Sequence, residues 1–401
     1  MRQPGRALLV EDVHPDAVRI LEQAAWHVDT APRALPDGDL VGRLDGVQLL
    51  GIRSQTQLTA SVLEKCRDLV AVGAFCIGTN QIDLGAASRL GVAVFNAPFS
   101  NTRSVVELVV AEIISLTRRL TEKDRAMHAG RWDKSAAGAH EVRGRRLGIV
   151  GYGNIGTQLS VLAESLGMSV SFYDTADRLA LGNARRCSTL EELLESVDVV
   201  SLHVDGRPDN RGLFGEAELR RMRPGSLFLN LSRGFVVDHE ALRRHIESGH
   251  LAGAAVDVFP SEPAAAGDPF VSDLRGLPNV ILTPHIGGST EEAQADIGQF
   301  VARKLVDYAE RGATPLSVNL PNLELPARAG AHLVVHIHRN TPGVLAAINA
   351  IFADHQVNIE AQVLATRGEI GYVISDISSE LTADMLAPLA GMDDTIRIRT
   401  L

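Results

Sequence analysis

Cysteine is scarce in this chain: Cys66, Cys76 and Cys187 are the only three in 401 residues. Their spacing makes neither a metal-binding pair nor a disulfide framework, so they read as small buried hydrophobes in a reducing compartment, and no metal is expected. Positive charge is also in deficit, with 39 Lys and Arg against 49 Asp and Glu and a formal net charge of −10. That balance argues against a nucleic-acid or anionic-membrane partner, and an anionic small substrate must be drawn in by local basic residues. Long apolar runs are missing too. The N-terminal MRQPGRALLVEDVHPD has too short an apolar stretch for a signal peptide, and the most apolar helical candidate, 105–120, is interrupted by Glu107 and Glu112. A cytoplasmic protein is expected. No internal repeat or low-complexity tract is evident.

What remains is a globular composition, 45% apolar and 22% charged, in a chain long enough for two or three domains. Strand-like and helix-like segments alternate from the start: 7–10 then 14–25, 49–53 then 59–65, 69–75 then 83–90, and 92–95. Such alternation implies a parallel sheet covered by helices. A long helix is expected from about Asn101 to Ala129, capped by Ser100 or Asn101, and suits a connection between two lobes. Further strands read at 169–173, 197–202, 226–230, 252–256 and 280–282, and a second long helix at 290–309 returns the chain to the first lobe. A stretch rich in Pro and Gly, 312–330, reads as linker. Beyond it the order β-α-β-β-α-β is ferredoxin-like. The expected fold class is therefore α/β, with two doubly wound parallel-sheet (Rossmann-like) domains and a small C-terminal βαββαβ domain. The boundaries are 1–100 with 290–318, a nucleotide domain at 101–289, a linker at 319–330 and the terminal domain at 331–401.

The segment LGIVGYGNIG (147–156) names a cofactor. An apolar strand runs into Gly151-x-Gly153-x-x-Gly156, and a helical stretch follows. The first glycine permits a tight turn, the second lets backbone approach a pyrophosphate, and the third lets the helix pack on its strand. A second apolar run, 169–173, ends in Asp174, about 20 residues on, where a carboxylate holds a ribose 2′-OH and repels a 2′-phosphate. NAD is favoured over NADP, and Arg178 is the one feature that could relax that preference. A glycine-rich turn without ligand is the alternative.

Three later segments carry the chemistry. Asn230-Leu-Ser-Arg233-Gly234, Asp257-Val-Phe-Pro-Ser-Glu262 and Thr283-Pro-His285-Ile-Gly-Gly each follow a strand, where side chains of an open α/β sheet face the ligand crevice. Arg233 can fork onto a carboxylate and polarise a carbonyl. His285 can exchange a proton with the alcohol or alkoxide. Glu262 can orient the ring and hold its charged form. Singly, each would pass for an ordinary loop residue. Together, behind a nucleotide fingerprint, they supply what hydride exchange between a 2-hydroxy and a 2-oxo acid requires.

On these residues the chain resembles the D-isomer-specific 2-hydroxyacid dehydrogenases, in their bacterial form with one C-terminal ACT domain. The resemblance runs over nearly the whole chain and is most specific at GIRSQT (51–56), FCIGTNQID (75–83), FNAPFSNTRSVVELV (95–109), LGIVGYGNIGTQL (147–159), LSRG (231–234), AVDVFPSEP (255–263) and LTPHIGGST (282–290). It implies catalytic Arg233, Glu262 and His285. Implied NAD contacts are Gly151, Gly153, Asn154, Ile155, Gly156 and Asp174, with Asp257 near the nicotinamide carboxamide. It further implies oxidation of 3-phosphoglycerate to 3-phosphohydroxypyruvate, the first step of L-serine biosynthesis, with reduction of 2-oxoglutarate as a possible side activity. The substrate carboxylate is expected on Arg233 and the Ile77–Gly78 backbone, and Arg53, Asn101 and Lys134 lie toward the phosphate. Gln55 stands where relatives often carry a further Arg, which would weaken phosphate binding. His338, Asn340 and Asn358 match a serine-binding pattern that implies inhibition by L-serine where two ACT units pair, in a homotetramer assembled through ACT and nucleotide-domain contacts. The rivals are a D-2-hydroxyacid dehydrogenase acting on a substrate without phosphate, and a non-catalytic NAD-sensing scaffold.

Overall fold

The computed structural model describes residues 5–263, 267–326, 328 and 330–401. The chain divides into two compact units, Met1–Ser100 with Gln294–Leu401, and Asn101–Ala293.

The first unit opens with β1 (Arg6–Val10), α1 (Pro15–Gln23), β2 (His27–Ala31), α2 (Asp37–Arg43), β3 (Leu49–Ile52), α3 (Ala60–Leu63), β4 (Ala71–Ala74), α4 (Leu84–Arg89) and β5 (Ala93–Asn96). Its five strands are parallel, in the order β2-β1-β3-β4-β5, a doubly wound arrangement. β3 and β4 are buried at every residue, which is why they read as unbroken apolar runs instead of alternating ones. The sequence reading passed over β2 and α2. β2, HVDTA, is an edge strand buried only at Ala31, so its charged residues hide the apolar signal.

The second unit contains α5 (Thr102–Arg118), α6 (Leu120–His128), β6 (Arg146–Val150), α7 (Asn154–Ser165), β7 (Ser169–Tyr173), β8 (Arg185–Arg186), α8 (Leu190–Ser196), β9 (Val199–Leu202), α9 (Glu216–Arg221), β10 (Ser226–Asn230), α10 (His239–Glu247), β11 (Leu251–Val256) and β12 (Val280–Leu282). Its seven-stranded sheet runs β12-β11-β10-β9-β6-β7-β8, so the winding reverses between β6 and β9. Ligands of open α/β sheets bind beyond such a reversal, at the carboxyl ends of the strands. The single long helix expected over 101–129 is instead two. Arg119 adopts φ +53° between them, and its guanidinium makes two bonds to Glu122, at 2.5 and 3.0 Å. A left-handed non-glycine residue costs about 1–2 kcal/mol, of which this partly exposed i,i+3 pair returns about 0.3–0.5 kcal/mol.

α11 (Glu291–Arg311) starts in the second unit and ends in the first. The chain after it is tied down: Asn319 accepts from Val94 N and donates to Val92 O, both at 2.8 Å, and Thr314 Oγ1 donates to Pro321 O at 2.7 Å. Within the expected linker 319–330, residues 327 and 329 lie outside the described ones. The terminal module is β13 (His332–Arg339), α12 (Val344–Asp354), β14 (Ile359–Arg367), β15 (Ile370–Ile377), α13 (Ala383–Ala390) and β16 (Thr395–Thr400), an antiparallel sheet ordered β14-β15-β13-β16. The pleat sorts its side chains: Val334 and Val373 pack under α12 and α13 with Ile348 and Leu389. Val335, Ile337, Tyr372 and Ile374 share a core with Phe95, Val301, Leu305 and Tyr308. Polar bonds seal that contact, from Arg399 to the Tyr308 and Ala309 carbonyls and from the Tyr372 hydroxyl to Gly312 O. No described helix is long and apolar enough to cross a membrane.

Candidate active site

The glycine loop closes β6 onto α7 as its sequence demands. Gly151 has φ +93°, and a Cβ there would stand 2.5 Å from His203 O. A Cβ at Gly156 would stand 2.4 Å from Gly151 O, so only glycine lets the first turn of α7 come so close. A Cβ at Gly153 would meet nothing within 4 Å. That open side lies at the N-cap of α7, where Asn154, Ile155 and Gly156 begin the helix and its free N–H groups favour an anion. Asp174, just past β7, braces the loop by accepting from Tyr152 N at 2.7 Å, and also accepts from Ala176 N at 2.8 Å. Arg178 stands 3.8 Å from this carboxylate with half its side chain exposed. The loop, the helix terminus and the strand-end acid together fit a dinucleotide.

Past the carboxyl ends of β10, β11 and β12 the structure brings Arg233, Glu262 and His285 together. His285 Nδ1 is 2.9 Å from Glu262 Oε2, and Glu262 Oε1 accepts from Phe259 N at 3.1 Å. The bond to Glu262 holds the His285 proton more tightly than usual; burial opposes this, the charges of Glu262 and Asp257 add to it, and Arg233 subtracts. Burial pushes Glu262 upward, but the bonds from His285 and from the Phe259 N–H, with the charges of His285 and Arg233, outweigh it and keep the carboxyl below its ordinary value. With Nδ1 engaged by Glu262, Nε2 is the ring nitrogen left to face a substrate oxygen. Arg233 is set by its own loop: its Nη1 donates to Ser232 O at 2.7 Å, and buried Asn230 donates to Arg233 O at 3.1 Å. Gly234 permits the approach of the other loop, since a Cβ there would fall 2.0 Å from Phe259 C.

His285 itself has φ +55°, a conformation few non-glycine residues adopt. Asp257 pins this turn, accepting from the Thr283 hydroxyl at 2.7 Å, Ile286 N at 2.8 Å and Gly287 N at 2.9 Å. Asn101 lies against the same turn: a Cβ on Gly288 would be 2.3 Å from its Nδ2, and its buried Oδ1 has no partner among the described residues. Lys134, on an exposed loop of this unit, stands 5.7 Å over the Trp132 ring.

The remaining substrate candidates belong to the first unit. Arg53 follows β3, with its N–H on Glu11 Oε1 at 3.1 Å and its carbonyl receiving Gln81 Nε2. Ile77 O accepts from Asn96 Nδ2, and Gly78 O from Cys76 Sγ. Glu11, which the sequence reading missed, also receives the Gln55 and Thr56 amides and so shapes the whole 53–56 loop. Glu11 is buried just past β1 with φ +66°, and the sequence displays neither feature.

The effector candidates are not gathered in one chain. His338 and Asn340 stand at the end of β13 that pairs with Gly371, and Asn358 precedes β14 at the opposite end, beside Ser378. Six residues of strand, ~20 Å, separate these ends. His338 is buried, with Nδ1 donating to Arg339 O at 2.8 Å and Nε2 without a partner among the described residues. Asn340 donates to Gly368 O and Asn358 to Glu360 Oε1.

Residues 110–287 match the model of the D-isomer specific 2-hydroxyacid dehydrogenase NAD binding domain, and 334–397 match an AHAS small subunit-like ACT domain. The chain is 49% identical over 395 residues to D-3-phosphoglycerate dehydrogenase of Haemophilus influenzae, spanning 98% of this chain and 96% of that protein. It is 50% identical to the D-3-phosphoglycerate dehydrogenase of Escherichia coli K12, spanning 98% and 97%. Among solved structures it is similar to D-lactate dehydrogenase from Aquifex aeolicus complexed with NAD and lactic acid, at 25% identity and a TM-score of 0.69 over 79% of this chain and 100% of that one. The chain belongs to the D-isomer-specific 2-hydroxyacid dehydrogenases, in the NAD-binding group of the D-3-phosphoglycerate dehydrogenases, and carries a C-terminal ACT domain.

Proposed function

We infer that the chain oxidises D-3-phosphoglycerate to 3-phosphohydroxypyruvate with NAD, the first step of L-serine biosynthesis. The observation that carries this reading is the His285–Glu262 pair, 2.9 Å apart beside Arg233 at the strand ends of a nucleotide-binding sheet. Gly151–Gly156 and Asp174 would hold NAD, which when bound would supply the hydride acceptor. His285 Nε2 takes the substrate hydroxyl proton as the alcohol becomes a ketone, and Glu262 stabilises the imidazolium that results. Arg233 forks onto the substrate carboxylate and polarises the adjacent oxygen. The Ile77–Gly78 backbone shares that carboxylate. Arg53, Asn101 and Lys134 serve the phosphate. Asp257 serves the nicotinamide carboxamide while holding the His285 turn.

The terminal module is the regulatory end of the enzyme. His338 and Asn340 of one chain with Asn358 of another bind L-serine where two ACT sheets meet edge to edge. A two-chain site accounts for the opposite-end placement of these residues, and it requires a homo-oligomer, in our reading a tetramer in the cytoplasm.

The test is NADH oxidation with 3-phosphohydroxypyruvate, repeated with 2-oxoglutarate and with added L-serine. Turnover of phosphohydroxypyruvate, lost by several orders of magnitude in His285→Ala, is the expected outcome. Arg53→Ala and Lys134→Ala should raise KM for that substrate with kcat little changed, and an unchanged KM removes the phosphate assignment. Full serine inhibition in Asn358→Ala would remove the effector assignment while leaving the catalytic one intact.

A further inference from the structure

Two loops of the first unit carry groups that the proposed reaction assigns to the anionic ends of its substrate, 53–56 for the phosphate and 76–79 for the carboxylate. Gln81 is bonded to both. It is only 8% exposed, and its Nε2 donates to Arg53 O at 2.6 Å and to Gly78 O at 3.3 Å. Both partners are carbonyl oxygens, which can only accept, so the amide nitrogen and not the amide oxygen must face them. Nε2 owns two hydrogens, one for each loop. Cys76 Sγ supports the same Gly78 carbonyl, donating to it at 3.1 Å. The backbone adds a further tie: Gln81 O accepts from Leu58 N at 2.8 Å and Leu58 O from Asp83 N at 2.9 Å, an isolated parallel bridge beside the two loops.

Each loop is also fixed from its far side. Glu11 receives the Arg53, Gln55 and Thr56 amides. In the other loop three successive carbonyls are held, Cys76 O by Ala97 N at 3.0 Å, Ile77 O by Asn96 Nδ2 at 2.6 Å, and Gly78 O by Gln81. A trans peptide points its N–H away from its own carbonyl, so the Ile77, Gly78 and Thr79 N–H groups are turned away from these donors. None of the three has an acceptor among the described residues. Successive N–H groups left in this way suit an anion.

We propose that Gln81 is a positioning residue whose amide nitrogen fixes the distance between the Arg53 arm and the 76–79 loop, and so matches the site to the separation of phosphate and carboxylate in a three-carbon phosphorylated acid. The inference rests on the assignment of Arg53 to the phosphate and of the Ile77–Gly78 backbone to the carboxylate. Gln81 acts only through the two loops. A substrate with a single anionic group needs no such span, so the contribution of Gln81 is largest where both ends are charged.

The test compares NADH oxidation by the full chain with 3-phosphohydroxypyruvate and with hydroxypyruvate, which lacks the phosphate. Gln81→Met keeps the length of the side chain and removes both donors. It should raise KM for phosphohydroxypyruvate about tenfold with kcat within about twofold, while kcat/KM for hydroxypyruvate falls no more than about threefold. Gln81→Asn keeps the amide but is one methylene short, and should show the same selective loss, which gives the readout by a second route if Gln81→Met does not fold. A merely structural role lowers both substrates equally. Equal losses, or no loss, overturn the proposal. Arg53→Ala separates it from the assignment beneath it. If Arg53→Ala weakens the preference for the phosphorylated substrate and the Gln81 variants do not, the inference about Gln81 fails alone. If Arg53→Ala leaves that preference unchanged, the phosphate assignment fails and takes the inference with it. In the Arg53→Ala background, Gln81→Met should no longer act selectively, because the arm it places is gone.

Discussion

In the proposed mechanism turnover rests, at the residue scale, on the raised proton affinity of His285, whose largest cause is one contact, the bond to Glu262. Glu262→Gln keeps a hydrogen-bonding group and removes the charge, so the imidazolium loses its stabilisation. The sign follows directly. Reduction of the keto acid needs protonated His285 and declines as pH rises through the histidine's value, so in Glu262→Gln that decline moves to lower pH. The acid limb of alcohol oxidation, which needs the neutral ring, moves the same way. A pH profile of kcat in both directions checks this, and kcat at neutral pH should fall roughly 10- to 100-fold. Arg233, Glu262, His285, the three glycines and Asp174 were all legible in the sequence, because chemistry restricts residue type at strand ends. Glu11 was not. Its work is to receive three backbone amides of the 53–56 loop from more than 40 residues away in the chain, which no local pattern announces.

At the scale of elements, the site is a matter of loops held in register by the strands beneath them. Asn230 pairs with Val256 across β10 and β11, which sets the Arg233 and Glu262 loops side by side, and Gly234 lets them touch. Gly234→Ala forces a Cβ into the Phe259 carbonyl carbon, so the loops must separate. A loss of ~2–4 kcal/mol in stability is expected, with kcat falling more than KM rises. Thermal melting and steady-state kinetics together test it, and a fully active, equally stable variant would refute the packing argument. The parallel strands were readable as apolar runs because both faces are covered. The break at Arg119 was hidden, since a left-handed arginine leaves no composition signal and its partial compensation is the fork to Glu122. β2 was hidden for the opposite reason, being an edge strand with charge on it.

On the scale of the whole molecule, the alternation of elements foretold two parallel α/β sheets and a βαββαβ module, and those are what the chain builds. What periodicity could not foretell is which face of the terminal sheet would be covered by the rest of the chain. β13, HLVVHIHR, carries apolar side chains on both of its faces, and only the pleat separates Val334, packed with its own helices, from Val335 and Ile337, which share a core with Val301 and Leu305 of α11. The Arg399 and Tyr372 bonds fasten the same contact to the end of that helix. A chain ended after Pro326 would leave Tyr308, Leu305 and Phe95 uncovered, an apolar face of the kind that drives association. Such a fragment should melt well below the full chain and sediment as aggregates; a stable, monodisperse fragment would show that the shared core is dispensable. The terminal ACT module is thus a structural dependency of the sheet it covers. On the proposed serine-binding role, a lineage wishing to shed feedback control could not simply delete the gene segment, and would have to blunt His338, Asn340 and Asn358 one substitution at a time while keeping the module in place.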